Sequence, residues 1–450
     1  MNPLGRREFV GLTAAAIASL AFRQSDWKAW RVNGARVNQH LAGLSRFGAN
    51  PQGGVSRVAF SQADTEARTF ALDLMRQAGL DAGIDPVGNL IGTRAGTEAG
   101  ALPLLFGSHI DSVPEGGNYD GDVGSMGAIE VAHTLAERDY KNRHPLHVMI
   151  WCDEESGLTG SRGFIGDLPA DELARPGRDG VPLAEKIRRI GGNPDRIAEA
   201  RHAPGSIAAY LELHIEQGDI LDERGLQIGI VEGIVGIHHY DVTIKGFANH
   251  AGTTPMDRRR NAMLAAAALV LAVDRIVKSV PGRHVGTVGR LLVKPGAPNV
   301  IPGQVDLTVE LRDLSTARIE SLWTRIHAEG QEIARRYHTT LEYVLQHVNA
   351  PALSDPTMRD VIADAVRGLR LSSQSMPSGA GHDAQDLARI CPMGMIFVPS
   401  VKGISHSPLE LTRPEDVTNG ANVLLQTVLR LDQSSPPYPL SAPRRGGTRG

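Results

Sequence analysis

The sequence is short of cysteine and of excess charge of either sign, and each shortage excludes a class of protein. Two cysteines, Cys152 and Cys391, are too few for a disulfide-built scaffold or a thiolate metal cluster. With 47 basic and 50 acidic side chains the formal net charge is −3, so no bulk attraction to nucleic acid or to an anionic membrane is expected. The expected partner is therefore a small molecule.

Glycine and proline, by contrast, are frequent. The chain contains 50 glycines and 27 prolines, which excludes a coiled coil or a simple helical bundle. A composition of 41% hydrophobic and 22% charged residues is that of a folded globular protein, and 450 residues suffice for two or three structural units. The 16 histidines raise the question of whether some of them converge on one site.

The first 22 residues are predicted to be a targeting segment. Arg6 and Arg7 directly precede an apolar run over residues 9–22, which is too short for a permanent membrane anchor. Paired arginines before such a run resemble a twin-arginine export signal, and small residues follow where cleavage would occur. This predicts a periplasmic protein with no membrane attachment after processing. The alternative is a cytoplasmic protein that begins with a helix.

Apolar runs of strand length alternate with helix-like stretches through most of the chain. Strands are predicted at 101–107, 146–151, 207–213 and 393–398, with helices at 65–78 and 127–138. This rhythm is typical of an α/β sheet covered by helices. Between residues 236 and 350, two half-exposed strands at 240–245 and 305–311 and two long helices at 260–279 and 316–337 indicate an inserted α+β unit.

These patterns divide the sequence into a larger α/β domain, one insertion and two terminal segments. The tail is rich in proline, glycine and arginine and is predicted to be disordered. The predicted boundaries are 1–22 for the signal, 23–235 and 351–432 for the α/β domain, 236–350 for the inserted domain, and 433–450 for the tail.

Chemically capable side chains follow the predicted strands, where ligands of open α/β sheets bind. The first strand ends in His109-Ile110-Asp111, and side chains two residues apart point to the same side. Asp111 could thus orient the imidazole of His109 while its other nitrogen binds a cation. Glycines then flank Asp120 and allow the sharp turn that would present this carboxylate.

Three adjacent acids, Asp153, Glu154 and Glu155, follow the next strand. Like charges at the end of a buried strand are unfavourable unless positive charge lies among them, so they indicate a metal pair or, alternatively, a solvated acidic turn. His214 and His406 follow two further strands. Each histidine alone is more often a structural hydrogen-bonding group, but together these nitrogen and oxygen donors suit zinc, manganese or a related divalent ion.

The motifs resemble those of the amidase/hydantoinase-carbamoylase family of two-metal, aminopeptidase-like hydrolases, over roughly residues 35–430. That family includes N-carbamoyl-L-amino acid hydrolases, allantoate amidohydrolases and bacterial-type β-ureidopropionases. The segments that carry the resemblance are 107–121, 154–155, 213–218, 249–256, 378–384 and 403–408.

The resemblance implies an aminopeptidase-like mixed-sheet catalytic domain with helices on both faces, and an inserted lid and dimerisation domain. It implies two divalent metal ions per subunit, zinc or manganese, with cobalt or nickel also possible. Asp120 would bridge the ions, Glu154 would be the general base, and Asp111 would orient His109. The metal ligands implied are His109, Asp120, Glu155, His214 and His406. A histidine at position 214, where peptidase relatives usually carry a carboxylate, points to the carbamoylase branch.

The resemblance also implies a substrate site and a homodimer. His250 would reach over the partner protomer's active site to stabilise the developing oxyanion. Without the resemblance, the alternative is that His250 makes a hydrogen bond that structures its own loop. Asn299 and Arg312 would hold the substrate carboxylate, although Asn299 could form a turn and Arg312 a surface ion pair with Asp313 or Glu310. Gln217 and the backbone at Gly379 would add further contacts.

Two departures from the family pattern leave the substrate open. Asp122 adds a negative charge near the expected metals, and the segment after Glu155 is shorter than usual. The preferred hypothesis is a metal-dependent hydrolase of linear C–N bonds in N-carbamoyl-L-amino acids or allantoate-like ureido acids, in which Glu154 assists the attack of water. The alternatives are an amidase or dipeptidase acting on N-acylated amino acids, and a binding protein without activity.

Overall fold

The computed structural model describes residues 27–177 and 179–434, which form two compact units. The first unit contains the described residues up to 232, together with 354–376 and those from 382 onward; the second contains 233–353 and 377–381. The export signal predicted at 1–22 lies outside the described residues, as does the predicted tail from residue 435. No helix in the described part of the chain has the length and apolar character needed to cross a membrane.

Fifteen strands are present among the described residues. In chain order they are β1 (Asp81–Ile84), β2 (Leu90–Arg94), β3 (Leu104–His109), β4 (Leu146–Trp151), β5 (Ala209–Ile215), β6 (Ile228–Ile234), β7 (Gly236–Lys245), β8 (Asn249–His250), β9 (Val285–Lys294), β10 (Val300–Ile301), β11 (Gln304–Asp313), β12 (Thr340–Asn349), β13 (Ala352–Leu353), β14 (Ser373–Ser378) and β15 (Met393–Val398). The strands predicted at 146–151 and 393–398 have the predicted bounds.

Thirteen α-helices accompany them in the same part of the chain. They are α1 (Gly34–Leu44), α2 (Gln62–Gln77), α3 (Asp122–Glu137), α4 (Glu154–Gly157), α5 (Thr159–Phe164), α6 (Ala170–Ala174), α7 (Leu183–Arg189), α8 (Ile220–Arg224), α9 (Ala262–Lys278), α10 (Thr316–Arg336), α11 (Pro356–Leu369), α12 (Ala384–Leu387) and α13 (Pro414–Gln433). The predicted long helices 260–279 and 316–337 correspond to α9 and α10.

The first unit contains a mixed sheet in the order β1-β2-β4-β3-β5-β15-β6, with β14 also beside β6. The four central strands β4, β3, β5 and β15 run parallel to one another, so their carboxyl ends lie at one edge of the sheet. This confirms the predicted α/β class.

Alternate side chains of the central strands pack helices on opposite faces of this sheet. Phe106 and Val148 point into the core shared with α3, whereas Trp151, three residues after Val148, packs edge-on against Phe164 of α5 with 5.1 Å between ring centroids. Because neighbouring side chains of a strand point to opposite faces, burial on both sides requires nearly continuous apolar runs. The strands β3, β4 and β15 have that composition.

A buried ion pair neutralises Asp122, the acidic residue that departs from the family pattern. Its Oδ2 accepts a hydrogen bond from Arg57 Nη2 at 2.5 Å, and both side chains are 1% exposed. Arg57 also donates to the backbone carbonyls of Leu44, Phe47 and Ile110. Burial raises the pKa of Asp122 to about 7, although Arg57 opposes the shift. The extra charge is thus held by a cation of the chain itself.

The second unit is an α+β structure built on an antiparallel sheet in the order β12-β7-β11-β9. Its core consists of alternate apolar residues of β7 and β11, such as Val242 and Leu307, packed against α9 and α10. The side chain of Asn261 accepts hydrogen bonds from the backbone amides of Met263 and Leu264 and so begins α9. The sequence predicted only the two central strands of this sheet.

Replacement of Arg57 by methionine is expected to lower the free energy of unfolding by about 3–5 kcal/mol, because it leaves the buried carboxylate of Asp122 without its cation. Urea denaturation followed by circular dichroism measures the change. The Arg76→Met variant is the matched control, because it breaks an exposed pair with Asp73 and is expected to leave the midpoint where it is. A urea midpoint for Arg57→Met equal to that of the wild type would show that the buried ion pair does not stabilise the fold.

Candidate metal centre

Five side chains of the first unit bring together nitrogen and oxygen atoms that could bind a metal ion. Donor atoms of His109, Asp120 and His214 lie within 4.8 Å of one another, and so do those of Asp120, Glu155 and His406. Asp120 belongs to both groups, which is the position that a bridging carboxylate requires. These are the five residues that the sequence predicts as ligands.

The sheet explains why residues so far apart in the sequence meet. His109 and His214 lie on the neighbouring parallel strands β3 and β5, at their carboxyl ends. Glu155 follows β4, and His406 lies in the loop after β15. Asp120 lies two residues before α3, and between them Gly121 has φ of +67°, where a Cβ would lie 2.4 Å from the imidazole of His109. Only glycine fits there.

The two buried imidazoles are oriented by backbone carbonyls. His109 Nδ1 lies 3.0 Å from the carbonyl oxygen of Asp111, and His214 Nδ1 lies 2.9 Å from that of Ile215. Because a carbonyl can only accept, each Nδ1 carries a proton, and each Nε2 faces the cluster, where it would present a lone pair to a bound cation. The two Nε2 atoms are 3.4 Å apart, which suits convergence on a cation.

Asp111 contacts His109 through its backbone, and its carboxylate has a different partner. Its two oxygens accept hydrogen bonds from the backbone amides of Glu154 and Glu155, both at 3.2 Å. The carboxylate is 3.7 Å from His109 Nδ1. Burial raises the pKa of Asp111 to about 6. Asp111 thus links the orientation of His109 to that of the paired glutamates.

The carboxylates of the cluster have buried oxygens that no protein donor satisfies. Asp120 Oδ1 and Glu155 Oε1 are buried and accept no hydrogen bond from the described residues. Their other oxygens lie 3.1 Å and 3.5 Å, respectively, from His406 Nε2. Unsatisfied buried carboxylate oxygens are unfavourable unless a cation compensates them. Imidazole nitrogens and carboxylate oxygens at these separations fit two divalent ions of the zinc or manganese kind.

The ionisation of these groups reflects the crowding of charge. Burial raises the pKa of Glu154 well above its ordinary value, with Asp383 and Glu155 adding to the effect, and it raises that of Glu155 to about 8. Burial also disfavours ionised Asp120, but the adjacent imidazoles of His214 and His406 outweigh this effect and hold the pKa of Asp120 well below the usual range. The cluster therefore favours added positive charge.

A strained turn aims the paired glutamates into the cluster. Asp153 and Leu158, on either side of α4, have φ of +59° and +51°, a conformation that is unfavourable for residues other than glycine. Glu154 Oε2 lies 3.8 Å from His109 Nε2. Adjacent carboxylates thereby reach two different histidines of the cluster.

Glu410 supports the cluster and was not predicted from the sequence. Its Oε1 accepts hydrogen bonds from the backbone amides of Tyr119 and Asp120, at 2.9 and 3.1 Å. Its Oε2 accepts the Ser405 hydroxyl at 2.9 Å. Glu410 thus joins the Asp120 turn to the loop that carries His406. A carboxylate four residues after His406 was the available signal.

Two further residues of the first unit line the cluster. Gln217, predicted to contact substrate, donates from Nε2 to Asp120 Oδ2 at 2.9 Å. His382 packs edge-on against His214, and Glu212 lies close enough to both to form a third group of possible ligands. However, the carboxylate of Glu212 already accepts hydrogen bonds from the Ser108 hydroxyl, the Tyr210 hydroxyl and the backbone amide of Ala384. It is therefore better explained as a structural support of the cluster than as a metal ligand.

The remaining predicted residues belong to the second unit, where the structure brings them together in pairs. β8 and β10 pair His250 with Val300, the neighbour of Asn299. Arg312 donates to the carbonyl oxygen of Gly379 at 2.7 Å. His250 Nδ1 lies 3.0 and 3.2 Å from the amides of Gly252 and Thr253 and accepts from them, so its proton is on the exposed Nε2.

Comparison with known proteins places these residues in context. Residues 105–430 match the model of peptidase family M20/M25/M40. The chain is 40% identical over 407 residues to an N-carbamoyl-L-amino acid amidohydrolase of Geobacillus stearothermophilus, covering 89% of this chain and 99% of the relative. A ureidoglycolate hydrolase of Arabidopsis thaliana is 38% identical, with 89% of this chain and 87% of the relative covered.

A solved structure shows the same fold. It is an amidase of the hydantoinase/carbamoylase family from Burkholderia multivorans, 35% identical, with a TM-score of 0.83 over 89% of this chain and 98% of that chain.

Loss of the Glu410 carboxylate is expected to weaken metal retention about 10- to 100-fold, because the Asp120 turn and the His406 loop lose their shared support. Competition between the Glu410→Ala variant and a zinc-binding dye measures the affinity. The exposed Glu415, five residues further along the chain, provides the control variant Glu415→Ala. Wild-type affinity in Glu410→Ala would contradict a supporting role for this carboxylate.

Proposed function

The chain belongs to peptidase family M20/M25/M40, among its amidases of the hydantoinase/carbamoylase type, and from this membership we propose that it is a metal-dependent hydrolase of N-carbamoyl-L-amino acids or related ureido acids. The observation that carries the proposal is the pair of ligand groups that share Asp120. His214 at a position where peptidase relatives usually carry a carboxylate favours ureido substrates over peptides.

Two divalent ions are the proposed cofactors. His109 and His214 would hold one, Glu155 and His406 the other, and Asp120 would bridge them. When bound, such ions polarise a carbonyl and lower the pKa of water. The unsatisfied oxygens of Asp120 and Glu155 support this assignment, since each would gain a cationic partner.

Glu154 is the proposed general base. Its side chain is 9% exposed, lies beside His109, and has no role as a ligand in the proposed arrangement. It would take a proton from the attacking water and later deliver it to the departing nitrogen. The carbamoyl group would then leave as ammonia and carbon dioxide.

His250 is the proposed oxyanion donor, acting on the partner protomer's active site as the resemblance implies. The exposed Nε2–H of its neutral imidazole is a hydrogen-bond donor, which is what a developing negative charge on a carbonyl oxygen requires. Its accepting Nδ1 is fixed by two backbone amides, so the ring is oriented before substrate arrives.

The substrate carboxylate is proposed to bind Arg312 and Asn299, with Gln217 and the backbone at Gly379 as further contacts. Guanidinium forms planar, charge-assisted hydrogen bonds with carboxylates. Arg312 Nη2 donates no hydrogen bond to any of the described residues, so this part of the fork is available.

A homodimer formed through the second unit is also proposed. The edge strands β9 and β12 and the helix α9 expose large apolar side chains that a monomer would leave in water. They are Val285, Leu291 and Leu292 on β9, Tyr343, Val344, Leu345 and Val348 on β12, and Leu271 on α9. Export to the periplasm through the Arg6-Arg7 signal is a further proposal from sequence.

A substrate panel tests the function, with ammonia release as the readout for the ureido compounds and release of free amino acid as the readout for the acylated amino acids and dipeptides. N-carbamoyl-L-amino acids, ureidoglycolate and allantoate are expected to include a substrate in the presence of zinc, manganese or cobalt, whereas N-acetyl amino acids and dipeptides are not. Glu154→Gln is expected to lower kcat about 10²- to 10⁴-fold while retaining metal, because the proton acceptor is lost. The exposed Glu185 gives the control variant Glu185→Gln. Full activity in Glu154→Gln would refute its assignment as the base.

Removal of metal by a chelator is expected to abolish turnover and to lower the thermal midpoint, because ligand carboxylates would remain buried without a counter-charge. Elemental analysis, calorimetry and activity are measured on the same sample, before and after zinc or manganese is restored. Full activity in protein shown to be free of divalent ions would overturn the metal proposal.

A further inference from the structure

We propose that Glu310 and His239 are positioning residues that hold Arg312 in the orientation that binds the substrate carboxylate. The inference rests on the proposed function, since that function gives Arg312 its ligand. All three side chains belong to the second unit.

The register of the sheet places these residues in one row. Glu310 on β11 is directly opposite His239 on β7, and Arg312 lies two residues further along β11 on the same face. This face carries polar side chains, while the apolar residues between them pack on α9 and α10. The row therefore lies on the open face of the sheet.

A chain of hydrogen bonds connects the row. Arg312 Nε donates to Glu310 Oε1 at 2.6 Å, and His239 Nε2 makes a short hydrogen bond with Glu310 Oε2. Burial raises the pKa of Glu310, but the contacts with Arg312 and His239 outweigh it and lower that pKa overall. The carboxylate is thus ionised and uses one oxygen for each neighbour.

These contacts fix the direction of the guanidinium. Glu310 occupies Nε, and the carbonyl oxygen of Gly379 accepts from Nη1 at 2.7 Å, so the plane of Arg312 is set by two separate acceptors. A side chain that is 29% exposed would otherwise sample several rotamers. Holding it in advance lowers the entropic penalty of binding a carboxylate.

A second ion pair on the same face provides a matched comparison. Asp241, two residues after His239 on β7, accepts a hydrogen bond from Arg290 of β9 at 3.0 Å. This pair joins two strands, as the pair of Glu310 and His239 does, but neither of its members bonds to Arg312. If such pairs only stabilised the sheet, removing either one would have similar effects.

The test compares KM and kcat of Glu310→Ala, His239→Phe and the control Asp241→Ala. Each is assayed with an N-carbamoyl amino acid and with the corresponding carboxamide, which lacks the carboxylate. Loss of a hydrogen bond to a charged group predicts a KM about tenfold higher for the acid in Glu310→Ala, and a smaller rise in His239→Phe. The carboxamide KM and the kcat values are expected to stay near those of wild type, and Asp241→Ala to match wild type with both substrates.

A double variant separates positioning from other effects. With Arg312→Lys as background, Glu310→Ala is expected to change KM for the acid by less than about twofold, because the oriented fork is already lost. Thermal midpoints show whether each variant is folded, and Glu310→Gln, which keeps an acceptor for Arg312, is expected to recover part of the affinity.

The measurements distinguish a failure of the positioning role from a failure of the proposed function. Unchanged KM for the acid in folded Glu310→Ala, or an equal rise with acid and carboxamide, would overturn the positioning role while leaving the proposed function in place. A wild-type enzyme that releases no ammonia from any ureido acid would overturn the proposed function and this inference with it.

Discussion

The burial of Asp120 between histidines is the interaction on which the rest of the first unit depends. Its carboxylate is 5% exposed, lies 3.1 Å from the Nε2 atoms of both His214 and His406, and keeps one oxygen without a hydrogen-bond donor among the described residues. Such a group is tolerated only where positive charge surrounds it. The parallel strands, which deliver His109 and His214 to one sheet edge, provide the frame in which this charge is gathered.

Residues from several separate segments of the chain hold the cluster in place. Gly121 makes room for an imidazole, Asp111 ties the glutamate turn, and Glu410 joins two loops. Asp122, two residues from Asp120, would add to the anionic crowding, but Arg57 neutralises it inside the core. Geometry that is unfavourable locally, as at Asp153, is thus stabilised by hydrogen bonds from several elements.

Much of this could be predicted from the sequence, and the exceptions have physical causes. Buried parallel strands are continuous apolar runs, so β4 and β15, and the polar residues that follow them, were readable. The edge strands β9 and β12 were missed because exposure on both faces removes the period-two pattern. Glu410 and the partner of Asp122 were missed because their contacts join segments distant in sequence, which no local pattern records. The sequence predicted that Asp111 lies beside His109, but it could not show that the backbone carbonyl of Asp111, and not its carboxylate, makes the contact.

The position of β15 has a consequence for the order in which the protein can be assembled. This strand comes from the last quarter of the chain, yet it lies between β5 and β6 in the sheet and leads into the loop that carries His406. A nascent chain that ends before β15 has His109, Asp120 and His214 but an interrupted sheet and an incomplete second ligand group. Closure of the sheet by β15 is therefore followed directly by the residue that completes the second group of candidate ligands, so a product truncated before this strand cannot assemble both groups.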